Sequence, residues 1–140
     1  MTYQDKLFGG QQVLVVGGTS GIGAGIAAAF LLAGASVSLT GATEGDLVLG
    51  GVAQLTKSLA IAYADEGIRV NALAPGWIAT RFTGALQEDK ARSDAIMART
   101  PLKRWGTPQD VAGVTLFLAS PAAAFVTGVV LPVDGDYLIS

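Results

Sequence analysis

The stretch that decides the fold runs Val13-Leu14-Val15-Val16-Gly17-Gly18-Thr19-Ser20-Gly21-Ile22-Gly23. Four apolar, mostly β-branched residues read as a strand covered on both faces. Gly17, Gly21 and Gly23 then set a G-x-x-x-G-x-G spacing, and Ala24 to Ala33 continue as a helix. In such a unit, side chains are missing where the backbone bends tightly or comes close to a pyrophosphate. The orphan N–H groups of the following helix are left aimed at the anion. A glycine-rich turn without a ligand is the competing reading, and the strand before it and the helix after it count against that.

Outward from this unit the elements alternate. Strand one covers Gln12 to Val16, helix one Gly21 to Ala33 with Gly34 as its stop, and strand two Ser36 to Thr40. Helix two is expected from Gly51 to Ala64, with Val52, Leu55, Leu59 and Tyr63 on a core-facing stripe and Gly67 ending it. Strand three is Ile68 to Leu73, followed by a Pro75-Gly76 turn. A third helix opens on Thr107 as N-cap, with Pro108 at its first position and Asp110 at N3, and runs to about Ser120. Strand four, Val129 to Val133, precedes Asp134-Gly135. This order predicts an α/β fold with a doubly wound parallel sheet of about four strands in one domain, residues 1–140.

Composition narrows the chemistry. Of 140 residues only 14% are charged, against about 25% in typical soluble domains, which suits buried parallel strands. A net charge of −2 without a basic patch gives no reason to expect nucleic acid or an anionic membrane as partner. Cysteine and histidine are both absent. That excludes disulfides, thiolate or histidine metal sites, and a Ser-His-Asp hydrolase, so no metal is expected. Without a long apolar run or a signal core, the expected location is the cytoplasm. Nine of the twenty charged residues lie between Arg81 and Arg104, around a helix-like stretch from Gln87 to Arg99. It reads either as a solvated helix or as a mobile flap over a ligand.

Together these features resemble the short-chain dehydrogenase/reductase family. The glycine turn is similar to that family's cofactor motif, with Val16 where Thr is usual. Arg69-Val70-Asn71-Ala72 leading to Pro75-Gly76-Trp77-Ile78-Ala79-Thr80 resembles the stretch around its sixth strand. Pro101 to Pro108 and Val133-Asp134-Gly135 resemble its C-terminal segment, with Asp136 replacing a Gly. The resemblance implies a Rossmann-like fold and an NAD(P)-dependent oxidoreductase acting on a secondary alcohol or carbonyl. It also implies a homo-oligomer built partly from the apolar C-terminal helix and strand.

The centre departs from the family. Members have roughly 250 residues in one such domain, and here the pattern breaks near residues 43–51. The family's third to fifth strands, its Asn-Asn-Ala-Gly turn, its catalytic Ser and its Tyr-x-x-x-Lys pair have no counterpart. Counting back from Gly50 to Lys57, where the pattern resumes, places Leu49 at the Lys position and Gly45 at the Tyr position. None of Tyr3, Tyr63 and Tyr137 has a Lys four residues on. No catalytic residue is therefore assigned, and the 140-residue chain is expected to be inactive.

What survives is half of a cofactor site. The resemblance places Gly17, Thr19, Ser20, Gly21, Ile22 and Gly23 at the pyrophosphate, and Pro75, Gly76, Ile78 and Thr80 at the nicotinamide carboxamide. An ordinary turn at Pro75-Gly76 and a helix N-cap at Thr80 are the alternatives; Asn71 reads as structural. Neither an acid nor an arginine stands at Thr40, Gly41 or Ala42, so NAD and NADP both remain admissible. A non-catalytic dinucleotide-binding or oligomerisation module is the other functional reading. A continuous chain predicts strand order 2-1-3-4; loss of a central segment instead predicts strands one and three held apart.

Overall fold

The computed structural model describes residues 7–16, 21–40 and 49–138. Strand β1 (Gln12–Val16) pairs in parallel with β2 (Ser36–Thr40). Helix α1 (Gly21–Leu32) connects them. Its end is a Schellman motif: Gly34 takes φ +90°, its N–H donates to Leu31 O at 3.1 Å, and Ala35 N–H donates to Phe30 O at 3.0 Å. A left-handed residue is needed there, and glycine supplies it without a Cβ penalty.

Helix α2 (Leu49–Ala62) leads through a short 3₁₀ turn to β3 (Ala72–Pro75), which pairs in parallel with β4 (Val130–Val133). Between them lie α3 (Gly84–Glu88), α4 (Lys90–Arg99) and α5 (Pro108–Ala119). Pairing in β3 begins four residues later than expected, because Arg69 to Asn71 are used otherwise. Arg69 Nη1 donates to Leu118 O (2.6 Å) and Val126 O (3.2 Å). Asn71 Nδ2 donates to Val126 O, and Val129 N–H donates to Asn71 Oδ1. These side chains clamp the approach to β4, and Asn71 is structural.

The four parallel strands form two pairs, β1-β2 and β3-β4, and not the continuous order 2-1-3-4. Helix packing explains the split. α1 lies against β1 and β2, α5 lies against β3 and β4, and the two helices pack side by side. Helices pack 8–10 Å apart, about twice the 4.8 Å strand spacing, so strands supported by adjacent helices need not meet. Phe8, Phe30, Ala33 and Ala35 form a core cluster under β1 and β2 that Leu116 of α5 joins, with Phe8 and Phe30 edge-to-face at 5.1 Å.

Two expectations need correction. Among the α2 residues whose side chains are described, the buried ones are Thr56 and Ala60; of the expected stripe Leu59 is half-buried, Leu55 and Tyr63 are exposed, and the Val52 side chain lies outside the described residues. A Cβ on Gly128 would lie 3.4 Å from Ala60 Cβ, so the helix packs through the side that carries Thr56 and Ala60, and Leu55 and Tyr63 stay outside. The stretch around Gln87 to Arg99 is two helices, broken at Asp89, whose carboxylate accepts from Arg92 N–H and caps α4.

Candidate functional site

The start of α1 and the loop that follows β3 come into contact. Gly21, the first residue of α1, has φ +54°, and a Cβ built on it would lie 3.6 Å from Thr80 Cγ2. Two segments 59 positions apart in sequence therefore meet. That spacing is ordinary van der Waals contact, so it is the left-handed backbone, not want of space, that calls for glycine here. The first turn of α1 carries no acidic side chain, so its N–H groups remain suited to an anion. Ile22 and Gly23 follow within α1, half-buried. Gly17, Thr19 and Ser20 lie outside the described residues, as does Gly45.

The loop after β3 is held from two sides. Gly76 N–H donates to Val133 O at 3.1 Å, and a Cβ at Gly76 would sit 2.6 Å from Asp134 Cα, so this turn presses against the end of β4. Ile78 forms a parallel bridge with Gly106 through Ala79 N–H to Gly106 O and Gly106 N–H to Trp77 O. The Ile78 side chain is buried and packs on Gly106, so only its backbone is available to a ligand. Its carbonyl accepts from Thr83 Oγ1 at 2.8 Å. Its N–H donates to none of the described residues.

Thr80 is not a helix N-cap. Its N–H donates to Thr83 Oγ1 (3.0 Å), and its carbonyl accepts from Gln87 Nε2 (3.2 Å). Its own hydroxyl lies 3.5 Å from Thr83 Oγ1, at the limit of hydrogen bonding. Pro75 is exposed at the end of β3. Of the expected carboxamide residues, Gly76, Ile78 and Thr80 thus stand on one hydrogen-bonded loop beside Gly21. Thr83 and Gln87, which fix that loop, carried no motif in the sequence.

Behind the loop, Trp77 meets Trp105 edge-on (6.0 Å) and Tyr137 edge-on (6.1 Å), with the Arg99 guanidinium 4.5 Å from the Tyr137 ring centroid. Trp105 Nε1 donates to Ser93 Oγ at 3.0 Å. These contacts fasten α4 to the loop and the C-terminal turn, while Lys90 and Asp94 face solvent as an ion pair. Arg104 grips Asp110 with two bonds of 2.8 and 2.9 Å, and Thr107 N–H donates to the same carboxylate at 2.7 Å. The hydrogen bonds from Arg104, aided by those from Thr107, hold the Asp110 carboxyl far below the usual carboxylate range. This capping box starts α5 as the sequence predicts. Tyr63 and Tyr137 have no lysine four residues on, and Leu49 is simply the first residue of α2.

Comparison with known proteins gives these features a context. The model of the family described as enoyl-(acyl carrier protein) reductase matches residues 46–137. The chain is 48% identical over 90 residues to galactitol 2-dehydrogenase (L-tagatose-forming) of Cereibacter sphaeroides, covering 64% of this chain and 35% of that protein. It is 43% identical over 91 residues to 5-keto-D-gluconate 5-reductase of Escherichia coli, covering 65% and 36%. The chain thus spans about a third of the length of these curated relatives. Among solved structures, a protein of Agrobacterium tumefaciens described as a 2-deoxy-D-gluconate 3-dehydrogenase, with bound NADP, superposes with TM-score 0.84 at 25% identity. That match covers 98% of this chain and 100% of the other. The motifs, the α/β architecture and the family match agree: this chain belongs to the short-chain dehydrogenase/reductase family.

Proposed function

We propose that the chain is the dinucleotide-binding domain of an NAD(P)-dependent oxidoreductase, with residues 1–140 acting as one unit. Its reaction class is oxidation of a secondary alcohol, or reduction of the matching carbonyl, on a polyhydroxy or sugar-acid substrate. The single observation that carries this reading is the approach of Gly21 to Thr80. It supports one groove in which Gly17, Thr19, Ser20, Gly21, Ile22 and Gly23 hold the pyrophosphate. Pro75, Gly76, Ile78 and Thr80 hold the nicotinamide end, where the unengaged Ile78 N–H suits a carboxamide oxygen and the Thr80 hydroxyl a second polar contact.

When bound, the cofactor supplies or accepts the hydride. The chain's own groups bind and orient it. They provide no proton relay, because Leu49 and Gly45 stand where a Lys and a Tyr are needed. The chain alone therefore binds a dinucleotide without turning over substrate, and a role as a non-catalytic binding or oligomerisation module is the second reading that this absence favours. Exposed Leu55, Ile61, Phe125 and Val130 support self-association. Among the described residues no helix is long and apolar enough to cross a membrane; a cytoplasmic setting accords with the cofactor.

Calorimetric titration with NAD and with NADP tests the reading. The wild-type chain should bind at least one of them. Gly21→Val should lose that binding while its circular dichroism is retained. Equal affinity in both proteins would remove the glycine turn from the site.

A further inference from the structure

Thr83 stands at the N-cap of α3, where a hydroxyl ordinarily accepts from the helix's own N–H groups. It makes no such bond here. Its side chain turns back into the loop, and the groups it meets there, Thr80 Oγ1 apart, have a fixed sense. Thr80 N–H can only donate, at 3.0 Å. Ile78 O, at 2.8 Å, can only accept. So can Thr80 O, at 3.1 Å, which makes it the weaker competitor for the same proton. Gln87 Nε2 lies 3.2 Å from Thr80 O and 2.9 Å from Thr83 Oγ1. Because the carbonyl accepts, the amide presents its NH2 to this corner, and the second bond is therefore also a donation to Thr83.

The capacity of the Thr83 hydroxyl is then exhausted. It has two lone pairs and one proton. Thr80 N–H and the Gln87 NH2 take the lone pairs, and Ile78 O takes the proton. Nothing is left to meet Thr80 Oγ1, 3.5 Å away. The Thr80 hydroxyl proton thus has no acceptor among the described residues, and neither has Ile78 N–H. The carbonyls of both residues, by contrast, are engaged. We propose that Thr83 is a positioning residue for the dinucleotide. By satisfying itself wholly within the loop it leaves the Thr80 O–H, together with the Ile78 N–H, to an acceptor oxygen of the ligand, the carbonyl of the carboxamide. Thr83 touches no ligand and acts through Thr80 and Ile78; the proposal rests on the cofactor reading above.

The test is calorimetric titration of the chain with three ligands. One is the nicotinamide dinucleotide it binds. The second is the acetylpyridine analogue of that dinucleotide, which keeps the carbonyl oxygen and lacks the NH2. The third is ADP-ribose of matching phosphorylation, which lacks the ring. Wild type should bind the analogue within about 3-fold of the dinucleotide. Thr83→Val, similar in shape but without a hydroxyl, should weaken both by about 10-fold, roughly one hydrogen bond to the ligand, and leave ADP-ribose unchanged. Thr83→Ser should restore both. Gln87→Leu frees a lone pair on Thr83, so Thr80 O–H can turn inward. It should weaken both by about 3-fold and again spare ADP-ribose, which carries the test should Thr83→Val fail to fold. Equal losses for ADP-ribose and dinucleotide, no loss for either, or a Thr83→Ser variant as weak as Thr83→Val overturns the proposal. So does an analogue that binds no better than ADP-ribose, since that assigns the contact to the amide NH2. All these outcomes leave wild-type binding intact. A wild-type chain that binds none of the three ligands overturns the cofactor reading itself, and this proposal with it.

Discussion

Gly25 of α1 packs directly on Pro108 of α5: a Cβ on Gly25 would fall 2.8 Å from Pro108 Cβ. The proline ring is rigid and cannot swing aside. Gly25→Val should therefore destabilise the fold by about 1–3 kcal/mol through overpacking. Gly25→Ala should cost less, since its gain in helix propensity of about 1 kcal/mol offsets part of the clash. Urea denaturation of the three proteins gives the ranking.

A second steric prediction concerns the loop after β3. At Gly76 the clash is with the Asp134 backbone, not with a flexible side chain. Gly76→Ala should lower stability by about 1–3 kcal/mol and weaken dinucleotide binding, because the loop that carries Ile78 and Thr80 must shift. Unchanged affinity with lowered stability would separate Gly76 from the site.

The Arg104–Asp110 pair makes a pH prediction. Asp110 is depressed in the folded chain, so its contribution is complete above the unfolded carboxylate value of about 3.9. It is lost as pH falls below that toward the folded value. Asp110→Asn should flatten the dependence of stability on pH below about 4 relative to wild type. Thermal melts across that window measure it, and parallel acid profiles would contradict the assignment.

Asp136 adopts φ +74° without being glycine. Left-handed backbone costs an L-residue about 1 kcal/mol, with Asp among the more tolerant. Asp136→Gly should therefore raise the melting temperature by a few degrees, on the order of 2–5 °C for a domain of this size. A decrease would show that the Asp136 side chain makes a stabilising contact of its own.

The 140-residue chain should show no absorbance change at 340 nm with secondary alcohols or ketones and either nicotinamide cofactor. General acid–base assistance contributes typically 10²–10⁴-fold, and no tyrosine–lysine pair is present to give it. Turnover that disappears in Tyr63→Phe would identify a proton relay at the exposed end of α2.

Much of this was legible in the chain because local signals were strong. The capping box at Thr107 and Asp110, the stop at Gly34 and strands β1 and β2 follow from short-range chemistry and fall where the sequence predicts. β3 was misplaced because Arg69 and Asn71 spend their side chains on carbonyls near Val126, a long-range interaction that a strand pattern does not reveal. The face of α2 was misread for a related reason. Periodicity marks an apolar stripe, but it does not guarantee a surface to cover it, and Leu55 and Tyr63 are left exposed. The meeting of Gly21 and Thr80 was half legible: both residues carried motifs, while Thr83 and Gln87, which hold Thr80 in place, carried none.

The aromatic cluster has a spectroscopic consequence. Both tryptophans of the chain, Trp77 and Trp105, touch each other beside the β3 loop, and Tyr137 joins them. The N-terminal half is built on Phe8 and Phe30, which are dark under excitation at long ultraviolet wavelengths. Indole emission is thus a reporter of one half only. If the halves come apart before either melts, far-ultraviolet dichroism will record two stages where fluorescence records one, and agreement between the two signals will mean that α1 and α5 let go together.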